Sequence, residues 1–208
     1  MATTIEQTNV LDVYECIANE FDDTRYSVWK FVKAFLANKE ELRGVDIGCG
    51  NGKNMLYPSM VGVDTCATLL ASVREKNPDA EVVLANCTEL PFEDASFDFA
   101  LGISVFHHLS TEERRMQAVC EMVRVMKSGA EGLFNFWSHE HQDRRTLTVG
   151  DNYISWKSKG GETYERYYHI LDEQQFVSFL DKVVRKTKIV VKKVFNEQAN
   201  WVVVFKKA

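Results

Sequence analysis

Small and acidic residues follow three short apolar segments in the first half of the chain. The first segment, 42–47, runs into the sequence Asp46-Ile47-Gly48-Cys49-Gly50-Asn51-Gly52, whose glycines allow a tight turn and a close approach of a ligand to the backbone. Asp64 ends the second segment, at the distance where a carboxylate can accept both hydroxyls of a ribose. Asn86 and Cys87 follow the third segment, where an adenine ring would lie, and the amide oxygen of Asn86 is expected to accept from the adenine amino group. These positions together predict a site for an adenosine-bearing ligand.

The spacing of the glycines decides between two classes of such ligand. They are arranged as Gly-x-Gly-x-Gly, whereas nicotinamide enzymes carry Gly-x-Gly-x-x-Gly with a closely packed third glycine. Gly-x-Gly alone is weak evidence, and Asp64 alone is explained equally well as a strand-end cap or turn residue. The loop and the aspartate in combination predict S-adenosylmethionine. The residues predicted to bind it are Asp46, Gly48, Cys49, Gly50, Asp64, Asn86, Cys87 and Ser104.

The order of apolar and helical segments predicts the fold class. Between residues 42 and 137, five short strands alternate with helical segments, which indicates an α/β protein with a mainly parallel sheet covered by helices on both faces. Two helices, 9–20 and 29–38, precede this region. A helix and two strands joined by a short turn follow it, and they predict a final antiparallel hairpin. This is the Rossmann-like layout of the class I S-adenosylmethionine-dependent methyltransferases.

Three connections carry more specific predictions. Ser110 is expected to cap a helix over 111–126, with Glu113 completing a capping box. Residues 127–130 indicate a turn, and 138–161 a long irregular loop over the active-site edge. We interpret the chain as a single methyltransferase domain. Its expected parts are the N-terminal helices (1–40), the cofactor-binding core (41–137), the substrate loop region (138–170) and the C-terminal helix and hairpin (171–208).

Composition restricts the location and the ligands. The chain has 208 residues and a net charge of −5, and no apolar run approaches the ~20 residues of a membrane span. The first residues show no basic head followed by an apolar block, so a secretory leader is not expected. Five dispersed cysteines indicate free thiols, so the expected location is the cytoplasm, with the nucleus as a second compartment.

His139 and His141 alternate without further ligands and predict no metal site. Arg114, Arg115 and the basic stretch 182–193 are candidates for phosphate contacts, although a solvated helix end explains the stretch more simply.

Several motifs resemble those of the eukaryotic tRNA wobble-uridine carboxymethyl methyltransferases, and the resemblance covers nearly the whole chain. The most specific are the His-His-x-Ser-Thr run and the Arg-Tyr-Tyr-His run, whereas the glycine loop is common to many methyltransferases. The matching segments are Phe21-x-x-Thr24-Arg25-x-x-x-Trp29, Gly48 to Lys53, Leu90-Pro91-Phe92, Ser104 to Arg115, Arg166-Tyr167-Tyr168-His169 and Asn200 to Val204. Three departures are Asn86 where the family usually has Asp, a short insert at 157–165, and the loss of a proline within 151–156.

The resemblance implies a reaction and its partners. The enzyme would transfer a methyl group to the carboxylate of 5-carboxymethyluridine at the wobble position of tRNA. It would act with the small zinc-binding activator subunit that several methyltransferases share. A carboxylic acid has a pKa of about 4 and is ionised at neutral pH, so this nucleophile needs no general base. The alternatives are a methyltransferase for small carboxylic acids and a non-catalytic module that binds the cofactor and a partner.

Four residues are the predicted catalytic set: Arg25, His107, Arg166 and His169. Arg25 is the first candidate for steering the carboxylate, and its alternative is an ion pair with Asp22 or Asp23. Either His107 or His108 is expected to donate to the acceptor oxygen, with His107 favoured.

Four further residues are the predicted substrate-binding set: Asp151, Tyr153, Trp156 and Tyr168. Trp156 or Tyr153 is expected to stack on the extracted uracil. Strand alternation places Arg166 and Tyr168 on one face and Tyr167 and His169 on the other, so at least one of these pairs is structural.

Overall fold

The structure, a computed structural model, describes residues 1–140 and 147–208. Within these ranges, seven strands form one sheet in the order β3-β2-β1-β4-β5-β9-β8, and β6 pairs with β7 in a separate ribbon. The strands are Gly44–Ile47 (β1), Met60–Asp64 (β2), Glu81–Leu84 (β3), Phe97–Gly102 (β4), Met126–Trp137 (β5), Gly150–Lys157 (β6), Thr163–Ile170 (β7), Ile189–Asn196 (β8) and Asn200–Lys207 (β9). Strands β1 to β5 pair in parallel, and β9 is antiparallel to both β5 and β8. This architecture confirms the predicted fold class.

Helices cover both faces of the sheet. They are Thr4–Glu6 (α1), Asp12–Asp22 (α2), Lys30–Leu36 (α3), Ala67–Lys76 (α4), Glu112–Val125 (α5) and Glu173–Thr187 (α6). A π-helical turn, Gln7–Leu11, joins α1 to α2, so the N-terminal helical region begins earlier than the sequence predicted. The described helices include none that is long and apolar enough to cross a membrane.

The hydrophobic core lies on two sides of the sheet. Phe106, Phe134 and Phe136 belong to the cluster that packs under α5 and α6, and Phe31 and Leu101 belong to the one under α3. Strand β1 is buried along its whole length, as expected for a central strand covered on both faces. The carboxyl ends of the parallel strands, where a ligand would bind, are therefore held by a rigid core.

Three local predictions were wrong. The hydroxyl of Thr111 caps α5 by accepting from the Arg114 N–H, and Ser110 bonds instead to Glu6. The expected turn at 127–130 is part of β5, where a shift in the β4–β5 pairing accommodates the extra residues. Much of the expected loop at 138–161 is β6, because an antiparallel partner strand satisfies its polar backbone and leaves alternate side chains in solvent.

A buried ion pair ties the N-terminal helices to α5. The Nε of Arg114 lies 2.7 Å from a carboxylate oxygen of Glu6, and the two side chains are 12% and 3% exposed. Arg115 is also buried, and it donates to the Leu109 carbonyl. The two arginines are thus occupied inside the protein, which contradicts their proposed phosphate contacts.

Candidate active site

A cavity of about 850 Å³ lies at the carboxyl ends of β1 to β4. This volume is in the upper part of the range of about 300–1,000 Å³ found for small-molecule sites. Seven of the eight residues predicted to bind the cofactor line it: Gly48, Cys49, Gly50, Asp64, Asn86, Cys87 and Ser104. The eighth, Asp46, lies beneath the loop and does not line the cavity.

The glycine loop forms the floor of the cavity with its backbone. The amides of Gly48 and Cys49 both donate to the Val63 carbonyl, at 2.7 and 2.9 Å. Gly48 has a φ of +72°, and a Cβ there would lie 2.6 Å from Val105. A Cβ on Gly50 would instead meet nothing within 4 Å. The turn thus requires glycine at one position and leaves open space for a ligand above the other.

Asp64 is fixed by the same loop. One carboxylate oxygen accepts from the Gly50 amide at 2.7 Å, and the other accepts from the Cys66 amide at 2.9 Å. Burial raises the pKa of Asp64, and these backbone donors oppose that shift. Each oxygen retains a lone pair after these bonds, so the carboxylate can still accept ribose hydroxyls. The loop and Asp64 are therefore suited to the nucleoside part of S-adenosylmethionine.

Asn86 uses its amide oxygen within its own turn. That oxygen accepts from the N–H of Thr88 at 3.0 Å and from its hydroxyl at 2.8 Å. The contact expected from the sequence, acceptance from the adenine amino group, would need the oxygen that Thr88 occupies. The amide nitrogen of Asn86 is left for the ligand, and it is a donor.

Asp46 is a buried acid below the loop. Neither of its carboxylate oxygens has a hydrogen-bond partner among the described residues. Burial, assisted by the negative charge of Asp64, raises the pKa of Asp46 to about 7, while Lys53 and Asn54 act in the opposite direction. Its charge at neutral pH is therefore sensitive to whatever cation occupies the site above it.

Ser104 occupies a strained position at the end of β4. Its φ is +58°, which is uncommon for a residue with a side chain. The Ser104 amide donates to Oδ1 of Asn135 at 2.7 Å, and the Asn135 amide donates to Oδ1 of Asn200 at 2.6 Å. The two asparagines are buried, so a polar link between β5 and β9 holds Ser104 at the cavity.

The other end of the cavity is an aromatic wall, which we call the acceptor wall: Tyr14, His107, His108, Trp137 and Tyr168. The rings of Trp137 and Tyr168 are stacked at 4.4 Å, and His107 stacks on Tyr168 at 5.1 Å. His107 accepts from the Trp137 amide through Nδ1, in a long bond of 3.4 Å, so Nε2 carries its proton. That Nε2 is buried and has no partner among the described residues.

Both histidines of the acceptor wall are neutral. Burial, with a contribution from His108, lowers the pKa of His107 well below its usual value. Burial lowers the pKa of His108 to about 4, assisted by Arg166 and opposed by the Tyr167 carbonyl. They can therefore donate hydrogen bonds at physiological pH without acting as cations.

The two faces of β7 separate the predicted residues as alternation requires. Arg166 and Tyr168 face inward, where the Nη1 of Arg166 donates to the Tyr168 hydroxyl at 3.2 Å. Tyr167 and His169 both bond to one oxygen of Asp151, at 2.6 and 2.7 Å. Neither Asp151 nor His169 lines the cavity, so the structure does not bring them to the acceptor wall.

The expected stacking residues also lie outside the cavity. Tyr153 is 50% exposed and packs edge-on against Tyr167 on the outer face of the ribbon. Trp156 is on the inner face, with the guanidinium of Arg166 5.1 Å from its ring centroid. His139 does not line this cavity, and His141 lies outside the described residues, so the structure does not test that pair.

Arg25 lines the cavity on the side of the glycine loop. Its guanidinium lies 4.6 Å from the ring centroid of Phe21, and its carbonyl accepts from the Asn51 amide at 2.8 Å. Asp22 forms an ion pair with Lys76, and Asp23 forms one with Lys159. Each acid thus has a lysine as its partner, where the alternative interpretation proposed Arg25.

The cavity residues that sequence reasoning did not assign to the site include Tyr14, Trp29, Lys53, Trp137 and Asn200. Trp29, Lys53 and Asn200 were within the matched motifs, which was a usable signal. Tyr14 is on an amphipathic helix, where an aromatic residue more often belongs to the core, and no local pattern separated it from its neighbours.

Comparison with known proteins identifies the family. A methyltransferase-domain family model matches residues 45–134. The tRNA (carboxymethyluridine(34)-5-O)-methyltransferase of Schizosaccharomyces pombe is 35% identical over 192 residues, which cover 79% of this chain and 83% of the yeast protein.

Two solved structures share the fold. A SAM-dependent methyltransferase from Methanosarcina mazei has a TM-score of 0.67 at 20% identity, over 87% of this chain and 98% of that one. A chain from the complex between the Haloferax volcanii Trm112 methyltransferase activator and a methyltransferase has a TM-score of 0.65 at 13% identity, over 95% of each chain. The chain therefore belongs to the family of the tRNA (carboxymethyluridine(34)-5-O)-methyltransferases, an enzyme family of the class I methyltransferase fold, and uses S-adenosylmethionine as its methyl donor.

Proposed function

We propose that this enzyme methylates the carboxylate of 5-carboxymethyluridine at the wobble position of tRNA. The observation that carries the proposal is the acceptor wall, where neutral donors face a cavity whose other end is suited to the cofactor. His107 offers a buried N–H with no partner of its own, and Tyr14 and Tyr168 add phenol groups. Such a wall suits an acceptor that is already anionic and needs no base.

The chemistry then depends on alignment. S-adenosylmethionine supplies a methyl group activated by the positive charge of its sulfur. The carboxylate oxygen forms the new C–O bond while the S–C bond breaks, and both charges are lost in the transfer. Holding the two reactants in line can lower the barrier by roughly 7–11 kcal/mol. The protein therefore orients the carboxylate and excludes water from the cavity.

The uracil ring needs a flat surface on which to stack, and the acceptor wall contains one. Trp137 and Tyr168 are stacked with an interplanar angle of 20° and line the cavity. Single-stranded bases are commonly bound by stacking on aromatic side chains. We assign Trp137 this role in place of Tyr153 and Trp156, which lie outside the cavity.

We also propose that the enzyme acts with a small zinc-binding activator subunit. The motif resemblance supports this partner, as does the likeness in fold to the Haloferax volcanii chain from a complex with an activator. Strand β3 is an edge of the sheet and carries Leu84, which is 60% exposed, and an apolar edge is a surface on which another chain can pair. The cytoplasm, expected from the dispersed free thiols, remains the proposed location.

Methyl transfer to a synthetic anticodon stem-loop tests the proposal. The stem-loop with carboxymethyluridine at the wobble position should become the methyl ester, and the matched stem-loop with unmodified uridine should not. The assay is run with and without the activator, and the product is identified by nucleoside mass spectrometry. Transfer to free small carboxylic acids but not to the stem-loop would contradict the proposal. Cofactor binding with no transfer to any RNA, even with the activator, would indicate a non-catalytic module.

A variant of His107 tests the acceptor wall directly. Replacement by phenylalanine keeps a flat ring and removes the N–H. A hydrogen bond to a charged group contributes about 1.5–3 kcal/mol, so we expect kcat/KM to fall roughly tenfold to a hundredfold, mainly through a higher KM for the stem-loop. Cofactor affinity, measured by calorimetry, should be nearly unchanged.

A further inference from the structure

Arg166 is a buried cation without an acidic partner among the described residues. It is 4% exposed, its Nη1 bonds to the Tyr168 hydroxyl, and its Nε has no partner. The centroids of the Trp156 and Tyr168 rings lie 5.1 and 5.6 Å from its guanidinium carbon. Burying a charge is costly unless an opposite charge or hydrogen bonds compensate it. An anion bound nearby would supply that compensation.

A chain of hydrogen bonds leads from Arg166 across the acceptor wall. The Tyr168 hydroxyl lies 3.3 Å from that of Tyr14, which lies 3.1 Å from Nε2 of His108. The Nδ1 of His108 lies 2.8 Å from the Tyr167 carbonyl. Three segments distant in sequence thus share one network: α2, the turn after β4 and β7.

The two ends of the chain fix its direction. Arginine can only donate, so the oxygen of Tyr168 accepts and its proton points onward. A carbonyl can only accept, so His108 holds its proton on Nδ1 and accepts from Tyr14 through Nε2. The contact between the two tyrosines is the longest bond of the chain. It is therefore the bond that a better acceptor would replace first.

We propose that the Tyr168 hydroxyl donates a hydrogen bond to the substrate carboxylate and that Arg166 acts through Tyr168 as a positioning residue. This inference rests on the proposed function. Tyr168 lines the cavity, and its ring stacks on His107, so the phenol and the His107 N–H belong to adjacent stacked rings of the acceptor wall. A carboxylate accepts from two such donors readily. Arg166 strengthens the phenol as a donor and balances the charge of the bound anion.

There is a chemical reason for Arg166 to act through Tyr168 and not to contact the carboxylate directly. The carboxylate loses its negative charge as the methyl group is transferred, so a cation in direct contact would stabilise the ground state more than the transition state. Neutral donors hold the carboxylate with a smaller loss of nucleophilicity. Arg25, the first candidate from the sequence, lies on the glycine-loop side with Asn51 and does not belong to this network.

Competition between two stem-loops measures recognition of the carboxylate separately from methyl transfer. One carries carboxymethyluridine and the other the neutral carbamoylmethyluridine, and both are titrated in the presence of S-adenosylhomocysteine. We expect the wild-type enzyme to prefer the carboxylate. Tyr168→Phe and Arg166→Met should reduce that preference roughly tenfold or more, Tyr14→Phe should reduce it less, and Arg166→Lys should restore part of it. Tyr164→Phe, which removes a phenol of the same strand that bonds to Glu162, is the matched control and should leave the preference unchanged.

The outcomes separate the two proposals. A purely structural role for Tyr168 would weaken both stem-loops equally, and an unchanged preference in Tyr168→Phe would overturn the inference. Loss of the preference in Arg25→Gln alone would also overturn it and assign the carboxylate to Arg25. In either case methylation by the wild type would leave the proposed function standing. No methylation by the wild type would refute the proposed function and the inference with it. If Arg166→Met does not fold, Tyr168→Phe decides, since it retains the ring stack.

Discussion

The two ends of the cavity are built in different ways. The cofactor end is made of backbone and of residues close in sequence: Gly48, Cys49 and Gly50 lie in one turn, and Asp64 bonds directly to that turn. The acceptor wall is made of side chains from α2, the turn after β4, the end of β5 and the inner face of β7. A backbone site depends on local conformation, whereas a side-chain site depends on the packing of distant segments. The first should therefore fail through strain and the second through loss of tertiary contacts.

Gly48→Ala should have the largest effect and should be confined to the cofactor end. The left-handed φ and the 2.6 Å approach to Val105 leave no space for a methyl group, so the turn must shift. We expect cofactor affinity to fall by more than about a hundredfold, since strain of roughly 1–3 kcal/mol adds to the clash. Calorimetry with S-adenosylhomocysteine measures it. Gly161→Ala, at a φ of +92° with nothing within 4 Å, is the matched control, and an equal loss there would contradict this explanation.

Glu6→Gln should destabilise the packing of the N-terminal helices on α5, and these helices carry Tyr14 of the acceptor wall. The change leaves the buried guanidinium of Arg114 without its counter-ion, which costs about 3–5 kcal/mol in buried pairs. Urea denaturation should show a loss of unfolding free energy of this order. Lys159→Met removes an exposed ion pair with Asp23 and should cost less than about 1 kcal/mol. Equal losses in the two variants would show that burial of the pair is irrelevant.

The neutral His108 makes stability depend on pH. Its folded pKa of about 4 is below the usual 6.5, so between these values the unfolded chain binds a proton that the folded chain does not. Stability from this group is therefore complete above pH 6.5 and is lost as the pH falls towards 4, by up to about 1.4 kcal/mol per pH unit. Asp46, whose pKa is raised, has the opposite slope in this range.

The difference between the wild type and His108→Gln isolates the imidazole, because glutamine can bond to both Tyr14 and the Tyr167 carbonyl and does not titrate. Urea denaturation at several pH values between 4 and 7 supplies the two curves. We expect a shallower acid loss in the variant. Parallel curves would mean that His108 binds its proton equally in the folded and unfolded chains, which contradicts the lowered pKa.

Asn86→Asp should have the smallest effect. One carboxylate oxygen can keep the bonds to Thr88, and the other would present an acceptor to the adenine amino group. A single hydrogen bond contributes about 0.5–1.5 kcal/mol, so cofactor affinity should rise by no more than about tenfold. Calorimetry again measures it, and a large loss would show that the amide nitrogen of Asn86 is the group that binds adenine.

The sequence predicted the cofactor end closely because its signals are local. The glycine spacing and the strand-end positions of Asp64, Asn86 and Cys87 follow from the geometry of parallel strands, and all of these residues line the cavity. The sequence also predicted that Arg166 and Tyr168 share a face of a strand, since alternation is a local rule. It did not predict β6, whose polar composition resembles a loop until a partner strand is present.

The tertiary structure alone decided which face of β7 reaches the cavity. Arg166–Tyr168 and Tyr167–His169 are equivalent pairs in a strand pattern, and only the packing of the ribbon against α2 and the turn after β4 distinguishes them. The same packing brought Tyr14 to Tyr168, a pair separated by 154 positions. Local sequence fixes conformation over a few residues, but contacts between distant side chains depend on how whole elements pack, and no short motif contains that information.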